Sequence, residues 1–290
     1  MRIGFLILAH RYPDQLKDLI RSLMKFPSSR IYIHVDKKSD SLFQQLQQLY
    51  SDHNQVVFLE ERYPVYWGSF NQIRATFALM KKANAFGTED FFMLLSGQDF
   101  LIKKPDLVLD FLRNNPAKQF VVHFKLPDSQ WKYGGMNRLG HYSFDIPGRP
   151  WLTNKLNAFL EKIQVTFRLQ RNVSFQQYGG SNWFNLTREA LSYSVNFVLN
   201  NPKFLNSFRY SRCADEMFVQ SILMNSAFKN QVVSDDLRYI DWGSGPEYPR
   251  ILRDEDLEKM LNAENKFFGR KFDATIDSAV LNKLNHYLEF

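Results

Sequence analysis

The sequence predicts an α/β fold with a mainly parallel central sheet flanked by helices. Three observations carry that prediction. Short apolar runs alternate with helix-spaced amphipathic segments through the first 124 residues, the pattern of successive β–α–β units. The runs read as buried strands, which need helices on both faces. Each run also ends on polar residues, and in such sheets ligands collect beyond the carboxyl ends of the strands.

Taken in order, Ile3–Ala9 is the first apolar run and the first strand. Pro13 opens a helical segment with Leu16, Leu19, Ile20 and Leu23 on one face, proline being preorganised for the first turn. Residues 31–35 form the second strand, 42–49 a helix, and 56–59 the third strand. Residues 70–80 have helical spacing, 91–95 make the fourth strand, and 121–124 follow a further helical segment. His10, Asp36, the loop at 61–67 with Tyr66 and Trp67, and the turn holding Gln98 and Asp99 all fall at strand ends. Residues 127–150, rich in Gly, Pro and aromatics, read as long loops, and 151–168 as an amphipathic helix. Gly179 and Gly180 precede a short segment at 182–186, and Thr187 is placed to cap a helix before Arg188 and Glu189. Residues 215–224 read as another helix and 241–249 as loop. No repeat, low-complexity tract or linker divides the chain, so residues 1–290 read as one domain.

Hydrophobic content of 44% and aromatic content of 16% predict a sizeable core rather than disorder. The 27 phenylalanines serve either that core or the walls of a carbohydrate groove. The formal charge of +7 suits an anionic partner. Basic and acidic residues are interleaved rather than blocked, which argues against nucleic acid. A single cysteine, Cys213, excludes an internal disulfide framework and a multi-cysteine zinc site and fits a reducing compartment. The apolar start, residues 1–8, is too short to span a bilayer.

Several familiar signatures are absent. The first strand is not followed by G-x-G-x-x-G, and there is no G-x-x-x-x-G-K-[ST] and no H-E-x-x-H. The six histidines are scattered. Asp254, Glu255 and Asp256 spell D-x-D, but without an apolar strand before them they read as a helix face or cap.

Seven stretches in register carry a resemblance: "IYIHVDKKSD", "PVYWGSFNQIRATFALM", "LLSGQDFLIKKP", "GGSNWFNLTREA", "CADEMFVQSIL", "RYIDWGSGPEYPRIL" and "FFGRKFD". Together they resemble the Core-2/I-branching enzyme family, which includes β-1,6-N-acetylglucosaminyltransferases and peptide O-xylosyltransferases. The resemblance implies a GT-A-like glycosyltransferase fold. It implies transfer of a sugar from a UDP-sugar to an acceptor hydroxyl with inversion, and no metal cofactor. It divides the chain into a nucleotide-binding half over 1–125 and an acceptor-binding and catalytic half over 126–290.

Residue by residue, Glu216 matches the family's catalytic base, a role that asks for one carboxylate beside the acceptor hydroxyl. Read alone, Glu216 is more simply a helix N-terminal carboxylate favoured by the dipole. Lys271 matches the lysine on the diphosphate, and Arg250, with Arg253 as competitor, matches the arginine. Asp36 matches the aspartate by the uridine; read alone it is a turn former. His10 borders the same pocket or bonds to backbone, and Tyr66 packs on the nucleotide or anchors its loop. Gln98 and Asp99 bind sugar hydroxyls or tie down their loop. Trp183 and Trp242, on glycine-rich loops, stack on sugars or act as buried anchors, and Asp241 is placed to bind acceptor hydroxyls.

Animal members carry a membrane anchor, a stem and disulfides that this sequence lacks. The expectation is therefore a bacterial, cytoplasmic enzyme, acting at the inner face of the membrane on an oligosaccharide or lipid-linked saccharide of a surface-glycan pathway. Such an enzyme needs no nucleic-acid partner, and its basic surface suits peripheral membrane contact. A non-catalytic carbohydrate-binding protein on the same fold is the alternative.

Overall fold

A computed structural model describes residues 1–243 and 248–289. Its strands are β1 (Ile3–Ala9), β2 (Arg30–Val35), β3 (Val56–Phe58), β4 (Phe91–Ser96), β5 (Asp99–Leu101), β6 (Gln119–Lys125), β7 (Tyr178–Thr187), β8 (Val232–Val233), β9 (Arg238–Ile240) and β10 (Phe268–Arg270). The first helices are α1 (Pro13–Met24), α2 (Asp40–Leu49), α3 (Phe70–Phe86), α4 (Pro105–Arg113), α5 (Asn137–Gly140) and α6 (Pro150–Thr166). They are followed by α7 (Arg188–Asn200), α8 (Pro202–Ser207), α9 (Asp215–Met224), α10 (Leu257–Asn262) and α11 (Ala279–Glu289).

The main sheet has seven strands in the order β3-β2-β1-β4-β7-β6-β8. Neighbours are parallel except at β7, which runs antiparallel to both β4 and β6. Alternate residues of β1 explain why the run is continuously apolar. Ile3, Phe5, Ile7 and Ala9 enter one core with α1, α2, α4 and α11, while Leu6 enters the other with α3, α7 and α9. A strand covered on both faces has no side on which polar residues are favoured.

Two features differ from the sequence expectation, each for a local reason. "GGSNWF" lies in strand β7, not in a loop. A Cβ on Gly180 would sit 1.8 Å from the Val122 carbonyl oxygen of β6, so the glycine serves close strand approach rather than a turn. Asp99 begins β5 of a smaller sheet, ordered β5-β10-β9, instead of remaining in the turn. The cap predicted at Thr187 is formed, its hydroxyl accepting from the Ala190 N–H at 3.3 Å. Within 127–150 the chain makes a short 3-10 turn (Lys132–Gly135) and α5 between loops. Residues 244–247 of the loop predicted at 241–249 lie outside the described residues.

The site opens because β7 pairs with only part of β4. Their ladder runs from Phe91 opposite Thr187 to Met93 opposite Asn185 and stops there. Beyond it, the freed Leu94 carbonyl accepts from the buried Arg238 guanidinium, so the gap carries no unpaired backbone acceptor at that point. Among the described residues no helix is long and apolar enough to cross a membrane.

Candidate functional site

A cavity of about 380 Å³ lies at the carboxyl ends of β1, β2 and β4. His10 and Arg11 reach it from the end of β1, Asp36 and Lys38 from the end of β2, and Gln98 from the turn after β4. Trp183 of β7 closes the gap beside β4, and Arg270 and Lys271 come from the end of β10. Val65 and Trp67 line it from the loop after β3, and Gln72 from the first turn of α3. Its lining thus combines residues from both sequence halves.

Four cations, Arg11, Lys38, Arg270 and Lys271, meet one lining carboxylate, Asp36. All of these groups but Lys271 have a positioning partner among the described residues. Asp99 is fully buried and lies directly opposite Arg270 in the β5–β10 ladder, with the charges 3.3 Å apart. Arg270 in turn lies 4.2 Å from the Trp183 ring centroid, a cation–π contact on an almost buried indole. The Gln98 side chain accepts from Arg11 at 3.1 Å and donates to the Phe272 carbonyl at 3.0 Å. The Lys271 ammonium has no hydrogen bond or ion pair among the described residues. Burial, followed by the charges of Arg270 and Arg11, lowers its pKa, so an arriving anion relieves both costs.

Asp36 is nearly buried, and its carboxylate accepts from the backbone N–H groups of Lys38 at 2.8 Å and Val65 at 3.2 Å. It thereby folds the loop over the cavity, and Lys38 pairs with it at 3.2 Å. Tyr66 does not line the cavity; its ring lies 4.0 Å beneath the Lys38 ammonium. Burial lowers His34 to about 4. The neutral ring that results accepts the Tyr63 N–H through Nε2 at 3.0 Å. His10 is lowered by desolvation and then by Arg11.

The carboxylate pair at the start of α9 stands just outside the lining. Gln72 connects the two regions, since it lines the cavity and donates to Asp215 at 2.8 Å. Enclosure by protein, and then the charge of Glu216, pushes the Asp215 carboxyl up to about 7 although an edge of the residue is accessible. Glu216 is part-exposed and ion-paired with Arg138 of α5. Arg138 is itself fixed, donating to the Cys213 carbonyl at 2.6 Å with its guanidinium 3.5 Å from the Trp131 ring centroid. Gly68, with φ +70°, makes room for this lead-in, as a Cβ there would meet Cys213 Sγ at 2.7 Å.

The structure therefore gathers His10, Asp36, Gln98, Trp183 and Lys271 around one cavity, with Glu216 outside its lining, next in the chain to Asp215, which Gln72 contacts. It does not bring in the others. Asp99, expected to face a sugar, stands behind Arg270 with its carboxylate consumed by Arg270 and the Ser96 N–H. Arg250 is gripped by Asp241 at 2.8 Å, by Asp256 and by Glu255 at 3.7 Å, and with exposed Arg253 it borders a different, shallow hollow. Asp241 is spent on Arg250 and the Gly243 N–H. Trp242 is exposed and lines a separate cavity of about 440 Å³ with Arg238 and Lys266.

Arg11, Arg270, Gln72 and Arg138 were missed from the sequence. Arg11 and Arg270 each adjoin a residue that was chosen, so adjacency to a strand end was the available signal. Trp67, placed by the sequence at a strand end, is 55% exposed on the rim. Nothing local in the sequence marks Gln72 or Arg138. Among the described residues no group of three or more His, Cys, Asp or Glu side chains is arranged to hold a metal ion.

A family model described as Core-2/I-Branching enzyme matches residues 3–261. Xylosyltransferase 2 of Rattus norvegicus is 26% identical over 310 aligned residues, covering 99% of this chain and 34% of that protein. Xylosyltransferase oxt of Drosophila melanogaster is 26% identical over 314, covering 99% and 33%. The chain thus spans about a third of the length of these curated relatives. Among solved structures, a mannosyltransferase from Pyrobaculum calidifontis, in complex with GDP-mannose and manganese, overlaps 43% of this chain and 36% of its own at a TM-score of 0.31 and 8% identity.

Proposed function

The chain belongs to the Core-2/I-branching enzyme family, and on that premise we propose that it is an inverting glycosyltransferase of GT-A type. It moves a sugar from a UDP-sugar to a saccharide hydroxyl, without a metal cofactor. The observation that carries the reading is the excess of cations in the cavity at the strand ends, with one of them, Lys271, held without a partner among the described residues. A departing nucleoside diphosphate develops negative charge, and preorganised cations in a desolvated site offset that charge most effectively. Lys271, Arg11 and Arg270 are the groups for this role. Arg250 supports them from outside, holding the chain whose Leu252 N–H donates to the Lys271 carbonyl at 2.8 Å.

Glu216 is the general base. Inversion needs one carboxylate to take the acceptor proton while the leaving group departs from the opposite side. Arg138 is the positioning residue that fixes Glu216. Uridine fits the part of the cavity bordered by His10, Asp36 and the Tyr66 loop. The donor sugar then extends toward Gln98 and Trp183, and the acceptor approaches from the side of Glu216. In this reading residues 1–125 supply most of the nucleotide pocket and 126–290 the base and acceptor side, within a single domain.

The names of the relatives make UDP-xylose the first donor to test, with UDP-N-acetylglucosamine and UDP-glucuronate next. A lipid-linked or oligosaccharide precursor of a microbial surface glycan is the acceptor class. Calorimetry in chelator, with UDP and these donors, tests the reading. Lys271→Ala is expected to weaken UDP binding about 10- to 100-fold, the worth of a charge-assisted contact. Unchanged affinity, or absence of UDP binding to folded wild type, overturns it.

One observation favours a non-catalytic carbohydrate-binding protein, namely the commitment of Glu216 to Arg138. Turnover separates the two. For an enzyme, Glu216→Gln lowers kcat by about 10²–10⁴ and leaves donor binding intact. A binding protein has no turnover to lose.

A further inference from the structure

The side of α6 turned away from the protein is unlike an ordinary solvated helix face. Its inner side is formed by Leu152, Thr153, Leu156, Leu160, Ile163 and Gln164, which are buried or half-buried. Its outer side carries Trp151, Phe159 and Val165, and the chain just beyond adds Phe167 and Leu169, all 42–69% exposed. Between them stand exposed Lys155 and Lys162, with exposed Arg149 and Arg168 at the two ends. Lys155 lies over the Trp151 ring, 5.0 Å from its centroid. The one acid on the helix, Glu161, is half-buried and turned to Lys132 at 3.3 Å and Asn137 at 3.4 Å. A 17-residue helix is about 25 Å long, and its period places Trp151, Lys155, Phe159, Lys162 and Val165 along one side.

We propose that this face is a docking surface for an anionic phospholipid bilayer. The helix lies in the interface, with Trp151, Phe159 and Phe167 entering the headgroup–acyl boundary and the four cations meeting lipid phosphates. Large apolar side chains interleaved with lysine and arginine, with Asn154, Ala158 and Thr166 but no acid among the exposed residues of the helix, are the composition that binds such a surface. A second copy of the chain would meet the same cations and repel them. The position of the helix gives the attachment a use. Asn154 accepts from Arg212 at 2.8 Å, and Arg212 lies 5.3 Å from the centroid of Trp67, on the cavity rim. Glu161 touches Asn137, next to the Arg138 that holds Glu216. A bilayer on α6 therefore borders the carboxylate side of the site.

The test is co-sedimentation of the whole chain with vesicles of phosphatidylcholine alone and of equal phosphatidylcholine and phosphatidylglycerol. Wild type is expected on the anionic vesicles at low salt and in solution with the neutral ones. Lys155→Gln with Lys162→Gln is expected to weaken partitioning about thirtyfold. Trp151→Ser with Phe159→Ser and Phe167→Ser is expected to weaken it about a hundredfold or more. These residues are exposed, so thermal unfolding and UDP affinity should stay at wild-type values. Equal binding to both vesicle types, or binding that survives both variants, overturns the proposal. So does light scattering that shows a wild-type dimer which the aromatic variant dissolves, without vesicle binding.

Discussion

Asp215 and Glu216 are chain neighbours with opposite surroundings. Asp215 is enclosed and raised to about 7, whereas Glu216 is part-exposed and paired with Arg138. The sign of the resulting pH effect follows from linkage. Between about 4 and 7 the folded protein keeps a proton on Asp215 that the unfolded chain has released. This group's contribution to stability is therefore full at the acid end and lost as pH rises through 7. Asp215→Asn keeps an acceptor for Gln72 but cannot ionise, so its melting temperature should gain on wild type steadily from pH 4 to 8. A constant difference across that range would remove the assigned role of burial. Glu216 and Lys271 were singled out because each sits in a stretch that resembles the family. Arg11 and Arg270 were not, because a lone basic residue in sequence resembles any solvated one. What distinguishes Arg270 is Asp99 facing it across β5 and β10, a pairing between residues 171 positions apart.

At the scale of elements, periodicity located the first four strands and their helices because burial on both faces leaves a continuous apolar run. The same reasoning misplaced β7. Its glycines look like turn signals in sequence, yet at Gly180 the missing Cβ is where the β6 backbone passes. That requirement is set by a neighbour 58 residues earlier in the chain, Val122, and no local pattern announces it. Gly180→Ala is expected to destabilise the protein by about 1–3 kcal/mol, the usual range for overpacking. Denaturant unfolding reads this as a lower midpoint with an unchanged slope. A midpoint equal to wild type would mean that β6 and β7 separate without cost. Trp183 follows Gly180 on the same strand and reaches the cavity, so the variant should also weaken UDP binding.

The cavity is a property of the whole molecule, since β1, β2 and β4 supply one side and β7 and β10 the other. A ligand that bridges them stabilises the folded chain by mass action. UDP at a hundred times its Kd should add about 2.7 kcal/mol to the unfolding free energy, with or without chelator, and thermal shift assays measure it. A shift that requires manganese would contradict the metal-free reading. The order of strands in the sheet has a further consequence at this scale, for biosynthesis. The place beside β4 belongs to β7, which begins 82 positions after β4 ends. As the chain leaves the ribosome at about 5–20 residues per second, the edge of β4 stays unclaimed for roughly 4–16 seconds. During that interval Phe91, Phe92 and Met93 present an apolar strand with free backbone groups to whatever is near. The nascent protein is thus most open to mispairing, and to a chaperone, after its first strands exist and before the second wall of its cavity has been made.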